Sequence, residues 1–223
     1  MAGDFVALAA VAAAPAVFWL WYFYQKDRYE PEPKILILRT FILGILVTIP
    51  VAVVEGLLPV SDLILAAVAA PTIEELGKFL VVRRTVYAVR EFDEPMDGVV
   101  YAAAAALGFA TLENILYILN AYLTGSLEEV LLVYALRAIL SVPGHALFSS
   151  MWGYGLGRAK FDPSHRGGYI ATGLVLAIVL HGTFNFLLFS SPILALGVFA
   201  LVPIIWWVVF RLIDDALRRS PFS

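Results

Sequence analysis

Apolar residues run through this chain in long unbroken blocks, without the regular interruptions that mark half-buried strands or amphipathic helices. A helix needs about 20 such residues to cross the hydrocarbon core of a bilayer. Seven blocks approach that length: Phe5 to Tyr24, Ile35 to Val54, Leu63 to Val82, Val99 to Tyr122, Val130 to Gly157, Tyr169 to Phe189 and Ile193 to Leu212. Charge or turn residues bound each block, and only Ser191 and Pro192 part the last two. The pattern predicts an all-α, polytopic transmembrane helix bundle of about seven spans. No stretch of linker composition divides it, so residues 1–223 are expected to form one integral-membrane domain.

Composition narrows the function classes. With 61% hydrophobic and 15% charged residues, the chain is not that of a soluble globular protein. Its net charge of −3 gives no basic surface for nucleic acid, so no nucleic-acid partner is expected. The absence of cysteine removes disulfides, thiolate nucleophiles and cysteine-ligated zinc or iron–sulfur sites. Any metal must then be held by His, Asp, Glu or Asn.

The cations are one-sided. Lys26, Arg28 and Lys34 follow the first block, Arg83, Arg84 and Arg90 the third, Arg158, Lys160 and Arg166 the fifth, and Arg211, Arg218 and Arg219 end the seventh. The alternate connections, near Glu55 to Asp62, Thr124 to Glu129 and Ser191, hold none. Short cytoplasmic loops retain Lys and Arg, which places the N-terminus outside and the C-terminus in the cytoplasm. Met1 to Asp4 bring no positive charge, so the first block reads as a span and not as a signal peptide.

Three cations lie inside blocks, Arg39, Lys78 and Arg137, together with several carboxylates and histidines. Each ionisable group at the bilayer centre costs at least ~2.5 kcal/mol, so several at one depth point to a shared interior site. The third block reads Pro71-Thr-Ile-Glu74-Glu75-Leu-Gly-Lys78, with Glu74 and Lys78 on one helix face. The fourth carries Phe109-x-x-x-Glu113-Asn114, the fifth His145 and Ser149, the sixth His181-x-x-x-Asn185. At ~1.5 Å of rise per residue, all four clusters come within reach of one level. Lys78 reads as the counter-ion of the glutamates. Phe109 and Ser149 read as packing and backbone bonding, Gly153-x-Gly155-x-Gly157 as a close helix contact, and His165 as solvated.

Glu74-Glu75-x-x-Lys78, Phe109-x-x-x-Glu113, His145 and His181-x-x-x-Asn185, in that order on successive spans, resemble the PrsW family of intramembrane proteases. The resemblance covers about half the chain, roughly residues 63–189. It extends to the wider superfamily of CAAX prenyl endopeptidases and bacteriocin-immunity proteases. Glu113 and the extra His145 favour the PrsW branch, whereas Asn185 stands where that branch is expected to carry Asp. The resemblance implies an intramembrane endopeptidase of a prokaryotic plasma membrane. Its substrate would be a membrane-embedded or membrane-anchored protein, such as an anti-sigma factor or a lipid-anchored peptide.

Hydrolysis needs an activated water, a polarised carbonyl and a proton donor for the leaving amine. A zinc ion held by Glu113, His145 and His181 would supply the first two. Glu74 or Glu75 would then serve as general base and later acid, with Lys78 and Asn185 in support. A metal-free site uses the same residues, with Glu75 and Glu113 or His145 activating water while His181 and Asn185 donate to the oxyanion. Two other classes share the residue pattern: a proton- or cation-coupled transporter, whose buried ionisable groups would form a pathway, and a fold kept only to bind a membrane partner.

Overall fold

The computed structural model describes residues 2–223, with side chains from Val6 onward, so the charge reading at Met1 to Asp4 lies outside the described side chains. Among the described residues there is no strand. Seven helical segments follow one another: α1 (Ala2–Tyr24), α2 (Lys34–Gly56), α3 (62–85), α4 (Pro95–Thr124), α5 (127–161), α6 (Arg166–Ser190) and α7 (Val198–Arg218). A short helical turn, Pro192–Ala195, leads into α7. All but α3 are long and apolar enough to cross a membrane. Glu74, Glu75, Lys78, Arg83 and Arg84 make α3 too charged to qualify on hydropathy alone. The chain is a multi-pass membrane protein, with the expected blocks matched to within a few residues.

The bundle is built with large apolar side chains outward and small ones inward. On α2, Ile35, Leu38, Ile42, Leu46, Ile49 and Val53 form an exposed stripe at helical spacing. Its opposite face buries Ile37, Thr40, Gly44, Thr48 and Val51 against α4. Lipid solvates the outer stripe as well as protein would, so close backbone approach decides what faces inward. α4 is the central helix, wholly buried from Pro95 to Ala110. A Cβ on Gly98 would overlap the Gly153 carbonyl, and one on Gly157 the Pro95 carbonyl, so the glycines of α5 serve the close helix contact expected of them.

Two proline-driven turns break the regular helix. α3 and α5 each contain one π turn, at Leu65–Ala69 and at Arg137–Ser141. In an i→i+5 turn the carbonyl of residue 66 seeks the N–H of residue 71, and that of residue 138 seeks residue 143. Both partners are proline and have no N–H to give. Side chains from other helices replace them: Asn185 Nδ2 donates to Ala66 O at 2.9 Å, and Trp19 Nε1 donates to Ala138 O at 3.1 Å. The turns therefore hold where a lone proline would have left an orphaned carbonyl in an apolar medium.

The connections after α1, α3 and α5 meet at one end of the bundle. Tyr101 on α4 donates to Glu32, Lys160 donates to the carbonyls of Tyr87 and Val89, and Arg158 pairs with Asp215 near the end of α7. The basic residues thus gather at a single end, as the alternation of cations predicts. Arg39 is exposed and takes no part in the interior cluster.

Candidate active site

α3, α4, α5 and α6 bring their polar residues to one buried place. Pro71 and Pro143 follow the two π turns, so Glu74 and Glu75 leave one turn and His145 the other, each on the first coils of a regular helix. An extra residue per turn rotates the side chains that follow it, and such turns cluster at functional positions.

Lys78 is wholly buried, and its ammonium has three partners: Glu74 Oε2 at 3.0 Å, Glu75 Oε1 at 2.9 Å and His145 Nδ1 at 3.0 Å. It also lies 4.3 Å from the centre of the Phe109 ring, which gives that ring a cation–π role beyond packing. Lys78 thus lies within ion-pair distance of both acids.

Glu75 is saturated. Besides Lys78, its carboxylate accepts from Ser149 Oγ at 2.7 Å, Trp152 Nε1 at 2.9 Å and His181 Nδ1 at 3.1 Å. Ser149 therefore bonds the Glu75 carboxylate and not the backbone, correcting its expected role. Trp152 was not foreseen; in sequence it reads as one more aromatic in an apolar helix.

Glu113 lies on the far side of His145, where it takes His145 Nε2 at 2.9 Å and the Arg137 guanidinium at 2.7 Å. Arg137 is held in turn by Asn114 Oδ1 at 2.8 Å, and Asn114 donates to Ala12 O on α1. Glu55, expected in an external connection, instead lies in the last turn of α2.

These bonds fix both imidazoles. Facing a carboxylate, His181 Nδ1 and His145 Nε2 must each carry the hydrogen. His145 Nδ1 and His181 Nε2 then present lone pairs toward Glu74 Oε2, 3.7 and 3.9 Å away. One ligand atom from each of Glu74, His145 and His181 lies within 4.8 Å of the others, and all three side chains are buried. The Lys78 ammonium meets two of these acceptors, Glu74 Oε2 and His145 Nδ1, at 3.0 Å each, and leaves the His181 Nε2 lone pair without a donor. Two imidazoles and a carboxylate suit a borderline divalent metal, and each imidazole is backed by a second carboxylate, the arrangement that orients metal-bound histidines elsewhere. The set that converges contains Glu74, where the sequence predicts Glu113 with the two histidines.

A cavity of about 300 Å³ opens beside this group, lined by Glu113, Arg137, His145, His181, Phe184 and Asn185 among mostly apolar residues. Asn185 reaches the cavity wall but gives its amide to Ala66 O, so it positions the α3 turn. An ionised Asp could not make that donation, which accounts for an amide at this position.

Comparison with known proteins gives a family for the chain. Residues 32–212 match the model of a family described as PrsW family intramembrane metalloprotease. Protease PrsW of Geobacillus kaustophilus is 38% identical over 94% of this chain and 92% of its own. Protease PrsW of Oceanobacillus iheyensis is 35% identical over 92% and 93%, and that of Bacillus subtilis 32% identical over 92% and 93%. No solved structure matches the chain.

Proposed function

This chain belongs to the PrsW family of intramembrane proteases, and we propose that it hydrolyses a peptide bond of a membrane-embedded or membrane-anchored protein where Glu74, His145 and His181 converge. The observation that carries this reading is that convergence, with its two histidines on the wall of a mostly apolar cavity able to take a peptide segment. Zinc is the metal the three residues suit; bound there, it supplies Lewis-acid polarisation of the scissile carbonyl and a water acidic enough to attack near neutral pH.

The chain's own residues do the rest. Glu75 holds the hydrogen of His181 Nδ1 and so turns Nε2 inward, and Glu113 does the same for His145. Glu75 has no free lone pair left for a reacting proton. Glu113 is less enclosed and lines the cavity, where it is placed to take the proton of the attacking water and return it to the leaving amine. Arg137 holds that carboxylate at the wall. In this reading Glu74 and Glu113 exchange the roles expected from sequence.

One observation favours a metal-free variant. The Lys78 ammonium already sits 3.0 Å from both Glu74 Oε2 and His145 Nδ1, so a tethered cation serves two of the three lone pairs. Water would then be activated by Glu74 and the histidines directly. Metal content of active protein separates the two.

The gathering of basic residues at one end supports an outside N-terminus and a cytoplasmic C-terminus, and the bacterial relatives support residence in a prokaryotic plasma membrane. An anti-sigma factor is the substrate class implied by the motif resemblance. The test is cleavage of a membrane-peptide library by purified protein. His145→Ala and His181→Ala are expected to abolish cleavage while remaining folded. Ion flux in liposomes without any cleavage would make the buried cluster a transport pathway instead.

A further inference from the structure

A second group of buried acids lies at the basic end of the bundle, away from the Glu74 cluster. Asp27 and Glu32 come from the α1–α2 connection, Glu94 precedes α4, and Asp97 stands in its first turn. Asp27 is 4% exposed, and Glu32, Glu94 and Asp97 are fully buried. One carboxylate oxygen from each of Asp27, Glu94 and Asp97 lies within 4.8 Å of the others.

Fixed donors hold one oxygen of three of these groups. Glu32 N–H donates to Asp27 Oδ2 at 3.1 Å, Glu94 N–H to Asp97 Oδ2 at 2.7 Å, and Tyr101 O–H to Glu32 Oε2 at 2.5 Å. The other oxygens, Asp27 Oδ1, Asp97 Oδ1 and Glu32 Oε1, are buried and have no partner. Glu94 is the sharpest case: the only donor its carboxylate faces is the Asp97 N–H of the capping box at the start of α4, and one of its oxygens converges on Asp27 and Asp97. The basic side chain beside the group does not help. Lys160 directs its ammonium at the carbonyls of Tyr87 and Val89 and over the Phe92 ring.

A buried carboxylate oxygen without a donor costs several times what a satisfied one does. Asp27, Glu94 and Asp97 bring one oxygen each to a common place, within a frame of backbone donors that hold the other oxygens of the two aspartates, and this is the donor set a cation takes. We infer that Asp27, Glu94 and Asp97 form a second metal site, which takes a hard, oxygen-preferring divalent cation such as calcium or magnesium. All-oxygen donors with several carboxylates suit such ions, and the lack of nitrogen or sulfur ligands disfavours zinc. The ion ties the α1–α2 connection to the start of α4, the helix that carries Glu113. This site does not depend on the protease reading.

The test uses full-length protein in detergent, stripped with a chelator and titrated with calcium chloride or with magnesium chloride. Bound metal and Tm are both followed. The expected result is saturable uptake of one ion per chain with a rise in Tm; the tighter-binding salt identifies the ion. Glu94→Gln and Asp97→Asn should each weaken uptake by about tenfold or more, since affinity follows the ligand charge, whereas His181→Ala should leave it unchanged. Uptake that persists in both variants places the ion elsewhere and overturns the site. If the variants fold poorly, the wild-type protein decides. Burial pushes the Asp27 and Glu32 carboxyls up to about 8. Acids so shifted favour the folded state at low pH and lose that contribution as pH rises through about 8. Such a decline with no uptake of either ion would show carboxyls sharing protons, not a metal site.

Discussion

The two buried acidic groups of this protein are electrostatic opposites. In the middle of the bundle, Glu74, Glu75 and Glu113 are met by Lys78, by Arg137 and by donors from Ser149, Trp152 and both histidines. At the basic end, Asp27, Glu32, Glu94 and Asp97 are buried as deeply, yet each keeps at least one oxygen without a partner. The first group is neutralised by the chain itself. The second depends on something the chain does not supply. The difference predicts that removing the cation of the first group destabilises the fold, whereas removing an acid of the second stabilises it.

The largest effect is expected at Lys78. Lys78→Met leaves two acids in a low-dielectric interior without their shared cation, and breaking a buried pair from one side costs about 3–5 kcal/mol. Thermal unfolding in detergent measures it; an unchanged Tm would mean that donors other than Lys78 already stabilise the pair. At the basic end, removing a charge should help. Glu94→Gln, measured at pH 8 without divalent ions, is expected to raise stability by about 1 kcal/mol through relief of like-charge repulsion. A clear loss there would erase the contrast between the two groups. The smallest effect is topological. Single cysteines at Ser164 and Leu127, both exposed, should leave activity nearly unchanged and react with an impermeant thiol reagent from opposite sides of the membrane. External reaction at position 164 would reverse the orientation and put the second acidic group on the outside.

What sequence made legible follows from which physical signals are local. Block length and cation alternation are one-dimensional, so the seven segments and the clustering of basic residues at one end could be read directly. The interior ionisable residues were legible as a set because each is costly on its own. Their mutual roles were not, because they depend on rotation about helix axes that the π turns reset. Pro71 and Pro143 carried that signal: a proline inside an apolar span just before a polar cluster marks a turn whose carbonyl needs an outside donor. Asn185 is such a donor, yet in sequence it reads as part of a His-x-x-x-Asn motif. Asp27, Glu32 and Glu94 were invisible for another reason. Acids in a charged connection look solvated, and only the fold of the α1–α2 connection onto α4 buries them.

The claim at the centre of this account is that Glu74, and not Glu113, completes the buried set with His145 and His181. Elemental analysis of purified Glu74→Gln and Glu113→Gln proteins, beside wild type, tests it most directly. Both variants are expected to be inactive, but Glu113→Gln should keep about one zinc per chain while Glu74→Gln should lose it, because removing a ligand weakens binding far more than removing a group that orients one. Retention of metal by Glu74→Gln with its loss from Glu113→Gln would contradict the assignment, as would fully active wild-type protein containing no metal after chelation.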